Sequence, residues 1–286
     1  LNPYPANVRV GISGDAFDDG LVYYSDGAAL GSTIELVENT VNLAIKPTIE
    51  IPAGEFLSFT IVAEADGYLS NAIEVQMGAN EKILFAELGL VNLSTLPDGV
   101  VVKNDTNTDF DNNAPSNDIV IPVEDIEDIE GNSLKARLTF KSGTVFKDVN
   151  GTELDGSELT TQITYFNGIV DAAVLSATGG RGNALLDDGT IAVINGLVNV
   201  KAFLNGAKVK TFSSPVTIDI FLDAGAFNPA TNSAYVAGDR LSIISRDSPG
   251  QPFRNEGVAT VVIDEATQRL KVRYDAVHFS DYAAGS

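Results

Sequence analysis

Asp105, Asn107, Asp109 and Asp111 fall at every second position of the stretch Asn104–Asn113. Oxygen donors at this spacing open many calcium loops, because Ca²⁺ gathers about six to eight hard oxygens. These four residues are the candidate metal ligands, and calcium is the one cofactor the sequence suggests. The pattern departs from an EF-hand. Counting from Asp105, the sixth position is Phe110 where glycine is needed, and the twelfth is Ser116 where glutamate is needed. A solvated acidic linker is the competing reading.

The other chemistry-bearing features are weaker. His278 is the sole histidine and lies in Val277-His-Phe-Ser-Asp-Tyr282. A Ser–His–Asp arrangement would need Ser280 or a distant serine as nucleophile. The chain has no Gly-x-Ser-x-Gly elbow; Gly11-Ile-Ser13-Gly14 lacks the spacing. A structural role for His278, bonded to a turn by the last strand, is the expectation. One histidine builds no multi-histidine zinc site, and zero cysteines remove thiolate ligands, cysteine nucleophiles and disulfides. The glycine-rich run Thr178-Gly-Gly-Arg-Gly-Asn183 lacks the Lys-Ser/Thr of a P-loop and reads as a loop. With 39 Asp and Glu, a carboxylate-pair hydrolase stays open as an alternative, because the separation of two carboxyls is set in three dimensions. There is no Trp to stack a sugar; Tyr23 and Tyr24 can substitute, and adjacent strand positions face opposite ways.

The elements that must position these residues are strands. In Phe56–Ala65, Leu57, Phe59, Ile61, Ala63 and Ala65 share one face. Val216, Ile218, Ile220 and Leu222 share a face opposite Thr217 and Asp219. Leu270, Val272, Tyr274 and Ala276 alternate with Lys271, Arg273 and Asp275. This two-residue period marks half-buried strands. Further strands are predicted at 7–13, 21–25, 33–37, 41–51, 71–77, 82–93, 135–141, 159–166, 190–194, 197–204, 207–212, 241–246 and 257–263. Turn pairs such as Asp66-Gly67, Asn150-Gly151, Asn195-Gly196 and Asn205-Gly206 separate them, since Asn, Asp and Gly tolerate positive φ. Only Gly168–Ala177 offers a short helical alternative. The fold class expected is all-β: two antiparallel sandwiches in tandem.

Charge divides the chain. Residues 1–103 carry 14 acidic and 4 basic side chains, 104–132 are acidic without a base, and the rest is nearly balanced. The expected organisation is a sandwich over 1–103, an acidic linker or edge strand over 104–132, and a larger sandwich over 133–286. Within the middle segment, Ile119–Glu130 alternates partly between apolar and acidic residues, as an edge strand guarded by charge would. The net charge of −21 argues against nucleic acid and against anionic membranes. No apolar run approaches the roughly 18 residues of a membrane span.

Two stretches resemble known modules. Phe59-Thr-Ile-Val-Ala-Glu-Ala-Asp-Gly-Tyr68 resembles the strand-turn signature of immunoglobulin-like or transthyretin-like modules in surface lipoproteins of Bacteroidetes-type bacteria. Ser213-Ser-Pro-Val-Thr-Ile-Asp-Ile220, Phe227-Asn-Pro-Ala-Thr231, Gly238-Asp-Arg-Leu-Ser-Ile243 and His278-Phe-Ser-Asp-Tyr282 follow in the order of the closing strands of extracellular sandwich modules. The resemblance carries over no catalytic residue. It implies an extracellular site at the outer membrane surface, a lipid anchor upstream of Leu1 as the membrane link, and a non-enzymatic accessory or adhesion role with a protein partner. A glycan- or peptide-binding module is the alternative.

Overall fold

Alternation of apolar and polar side chains yields strands, and the named strands pair antiparallel. The computed structural model describes Pro5 and residues 7–31, 33–37, 40–79, 88–125, 133–168, 183–186, 191–246 and 253–285. Among them the one helix is the single turn Asp15–Asp18, so the chain is all-β. No helix among the described residues is long and apolar enough to cross a membrane. The predicted helical alternative from 169 to 177 lies outside the described residues, as do 178–182 of the glycine-rich run.

The described residues divide into two compact units, those up to Leu96 and those from Pro97 onward. The first unit holds a four-stranded sheet ordered Thr33–Ile34, Arg9–Ser13, Phe56–Glu64, Asn71–Gly78. A ribbon of Val22–Tyr24 and Leu43–Ile45 accompanies it. Its core gathers the inward set predicted for Phe56–Ala65, with Leu57, Phe59 and Ala63 meeting Val10, Ile12, Val22 and Ile34.

The second unit is a sandwich of two sheets. One runs in the order Ile119–Glu124, Leu134–Phe140, Thr211–Phe221, Leu270–His278, Val262–Ile263. The other runs Arg254–Thr260, Arg240–Arg246, Asp281–Gly285, Ile191–Leu204, Leu159–Asn167, Val100–Asn107. Phe140, Phe146, Ile163, Val198, Leu204 and Val216 fill the space between them at 0% exposure. Packing this dense follows from interdigitation of the two inner faces.

Three features depart from the expected pattern. Residues 104–107 are not linker: they end the Val100–Asn107 strand, where Asp105 lies opposite Thr161 and Asn107 opposite Leu159. Residues 119–124, by contrast, form an edge strand as their alternation implied, on the other sheet, while 126–132 lie outside the described residues. The turn predicted at Asn195-Gly196 is a bulge inside one 14-residue strand, where the register slips between Ile194 and Gly196. A Cβ there would stand 3.0 Å from the Tyr165 hydroxyl and 3.1 Å from Ile220, so any larger residue would press on these two side chains. Third, Asp281–Gly285 is buried at all five positions, so it carries no alternation to read.

The sheet edges are blunted, as exposed edges generally are. Ile119–Glu124 carries Pro122, Val262–Ile263 is two residues long, and Val100–Asn107 carries Lys103 and Asp105. Arg254–Thr260 has a register slip at Gly257, whose φ is 131°.

Candidate functional site

Strand register gathers the charged side chains of the second unit. Arg137 lies opposite Asp219, and Asp219 lies opposite Arg273, so three neighbouring strands place a cation, an anion and a cation in one row. This row is on the face turned away from Leu138, Ile218 and Ala276. Asp219 accepts hydrogen bonds from Arg137 Nη2 at 2.7 Å, Arg273 Nε at 2.7 Å and Lys271 Nζ at 3.0 Å. Asp264 follows the Val262–Ile263 strand and accepts from Arg137 at 2.7 Å and Lys271 at 2.6 Å. The Thr267 amide and hydroxyl hold its other oxygen. Beneath the cations lies Phe221, fully buried, with Arg137, Arg269 and Lys271 at 5.4, 5.5 and 5.8 Å from its ring centre. Cations over an aromatic face gain from its quadrupole.

Burial alone pushes the Asp219 and Asp264 carboxyls up. The hydrogen bonds from Arg273, Arg137 and Lys271 to Asp219, and from Lys271, Arg137 and Thr267 to Asp264, outweigh it and hold both below the usual range. Both stay ionised at neutral pH. Sequence alternation pointed Asp219 and Lys271 toward solvent, yet they are 1% and 5% exposed. The signal was there as opposite charges at outward positions of three strands, but it reads as a site only once the register is known.

The other sheet repeats the device. On its outer face Phe166, Leu197, Ala283 and Ile244 form a buried cross-strand row. The next row is polar: Asn199 opposite Asp281, and Asp281 opposite Arg246. Arg246 Nε reaches Asp281 at 2.6 Å, and its guanidinium stands 4.7 Å from the Phe253 ring centre. Asn199 also bonds Asp281.

His278 ends the Leu270–His278 strand. Its Nδ1 lies 2.8 Å from Ser280 Oγ and 3.2 Å from the Tyr282 hydroxyl, which donates to the His278 carbonyl at 2.7 Å. Ser280 is only 4% exposed, so its hydroxyl is closed to a substrate. Nearby in the chain, Tyr274 packs against Tyr282 with tilted rings whose centres are 5.3 Å apart, and donates to Glu256 at 3.2 Å. Burial and the Glu256 charge push the Tyr274 phenol up to about 12.

The acidic stretch is shaped by its own oxygens. Asn107 Oδ1 accepts from the Asp109 amide at 3.0 Å, and Asp109 Oδ2 accepts from Asn117 at 2.8 Å. Asp111 sits in a hairpin with Ala114, closed by Asn112 and Asn113 at φ 49° and 66°. Asp105 is on the strand before it. Among the described residues no three His, Cys, Asp or Glu side chains form a group able to hold a metal.

The chain matches no known protein family, characterised protein or solved structure.

In the first unit a shallow groove of about 400 Å³ is lined by Phe17, Val22, Tyr23, Leu30 and Lys46. Tyr23 is fixed by donating to the Ile45 carbonyl at 3.1 Å. Tyr24 faces the other way and accepts from the Glu35 amide at 2.9 Å.

Proposed function

We propose that the chain is a non-catalytic accessory or adhesion protein of the outer membrane surface, built of immunoglobulin-like or transthyretin-like sandwich modules and working through a protein partner. One observation carries this reading. Among the described residues, all six buried Asp, Lys and Arg side chains of the second unit, Lys135, Asp219, Arg246, Asp264, Lys271 and Asp281, are engaged in ion pairs. Asp219 and Asp264 share Arg137 and Lys271 and are held ionised. A glycosidase acid needs the opposite, a carboxyl whose pKa is raised. The Asp219 and Asp264 carboxyls are instead fixed as anions by the cations of their own sheet. The test is to express the protein from its native gene in its own host, label intact cells with an impermeant amine reagent, and crosslink. The reading expects surface labelling and one recurrent envelope protein in the crosslinks. An unlabelled chain, or turnover on a panel of glycosides and esters, overturns it.

A second reading, a glycan- or peptide-binding module, is favoured by the aromatic lining of the Phe17–Tyr23–Lys46 groove. Chemical-shift changes confined to this groove on titration with oligosaccharides or peptides, and lost in Tyr23→Ala, would support it. A titration without such changes removes it.

A further inference from the structure

At one end of the second sandwich, a lysine, an aspartate and an asparagine stand in line. Lys135 is the extra residue of a bulge: Val123 pairs with Ala136 and Glu124 with Leu134, leaving Lys135 between them. A bulge re-aims the side chain it carries. Lys135 is thereby only 2% exposed, and its Nζ lies 2.9 Å from Asp223 Oδ1. Asn167 closes the Leu159–Asn167 strand of the opposite sheet, and its Nδ2 lies 2.7 Å from Asp223 Oδ2. One carboxylate therefore holds an amine and a carboxamide, one on each oxygen. Arg269 completes the setting, 3.9 Å from Asp223 Oδ1 and anchored on the carbonyls of Leu134 and Leu222.

We propose that Lys135 and Asn167 join in an intramolecular isopeptide bond, with Asp223 as the proton carrier. The ion pair first becomes neutral as the Lys135 ammonium gives a proton to the Asp223 carboxylate. The neutral Nζ then attacks Asn167 Cγ. As the tetrahedral centre collapses, its C–N bond to the side-chain nitrogen breaks. Asp223 supplies a proton to that nitrogen and recovers one from the attacking Nζ. The products are a secondary amide and one ammonia. The reaction needs no oxidant and no co-reactant. Holding the two groups on one carboxylate supplies the proximity that makes such a step feasible.

The bond would tie a strand of one sheet to a strand of the other, in a chain with no cysteine to do this by disulfide. The inference rests on these three residues and stands whether or not the proposed surface role is correct.

The experiment is intact mass measurement of the purified full chain under denaturing conditions, followed by peptide sequencing by mass spectrometry. The expected result is a mass lower than the sequence mass by one ammonia, and a branched peptide joining Lys135 to Asn167. Lys135→Arg and Asp223→Ala should each restore the sequence mass. An unchanged wild-type mass overturns the proposal. So does loss of one water, which would place the bond on Asp223. Loss of ammonia with only linear peptides also overturns it, because Asn167 can instead cyclise onto the Gly168 amide. The wild-type measurement alone decides, so a variant that fails to fold leaves the test intact.

Discussion

The two units use the same alternation but treat its polar half differently. In the first, the ion pair Arg9–Asp66 lies in the open, with side chains 57% and 74% exposed. In the second, Asp219, Asp264 and Lys271 are sealed at 5% or less, under cations that share Phe221. Exposed pairs contribute about 0–1 kcal/mol, because water and salt screen them. A buried charge, by contrast, is destabilising as soon as its partner is removed. The second unit therefore has a charged layer whose integrity decides its stability, whereas the surface pair of the first unit is close to neutral energetically.

Substitution separates the two most strongly. Asp219→Asn leaves Arg137, Lys271 and Arg273 facing a neutral amide and is expected to destabilise the second unit by about 3–5 kcal/mol. Urea unfolding followed by probes in each unit measures this. Asp66→Ala in the first unit should change its midpoint by no more than about 1 kcal/mol. Equal effects at the two sites would remove the contrast.

Acid should sharpen it further. The folded pKa values of Asp219 and Asp264 lie below the ordinary 3.8, so their contribution is fully present above that pH and is lost as the pH falls from there through the lower folded values. The second unit is expected to lose stability steeply below about pH 4. In Asp219→Asn that acid limb should flatten. A limb unchanged by the substitution would assign the acid sensitivity to other carboxylates.

Alkali gives a smaller effect of opposite sense. The Tyr274 phenol is raised from 10.0 to about 12 in the folded chain. The unfolded chain ionises it first, so this contribution is present below pH 10 and is lost between about pH 10 and 12. Tyr274→Phe should remove that part of the alkaline decline in melting temperature. The smallest effect concerns calcium at Asp105, Asn107, Asp109 and Asp111, tested by melting curves with calcium and with chelator. A rise with calcium that Asp109→Asn abolishes would support the site through mass action, and superimposable curves discard it.

Much of the architecture was legible because one face of most strands is apolar. Leu57, Phe59 and Ala63 in the first unit and Val216, Ile218 and Ile220 in the second point inward as alternation requires. What stayed hidden was burial on the second face. Asp219 and Lys271 sit at outward positions, and nothing local says that a turn bearing Asp264 and an aromatic ring will seal them. Leu197 and Ile244 likewise occupy outer positions of a sheet covered on both sides, where alternation no longer distinguishes core from surface. The Asn195-Gly196 pair has the composition of a turn, and only the partner strands show that it is a bulge. The Lys135–Asp223–Asn167 line joins residues far apart in sequence and depends on another bulge.

Amide hydrogen exchange on the wild-type chain and on Asp219→Asn tests the central claim most directly. In the wild type, the strands Leu134–Phe140, Thr211–Phe221 and Leu270–His278 should exchange only through cooperative opening of the second unit. In Asp219→Asn their protection should collapse together, while Arg9–Ser13 and Phe56–Glu64 keep theirs. Unaltered protection in the variant would show that the charged layer does not hold this sandwich closed.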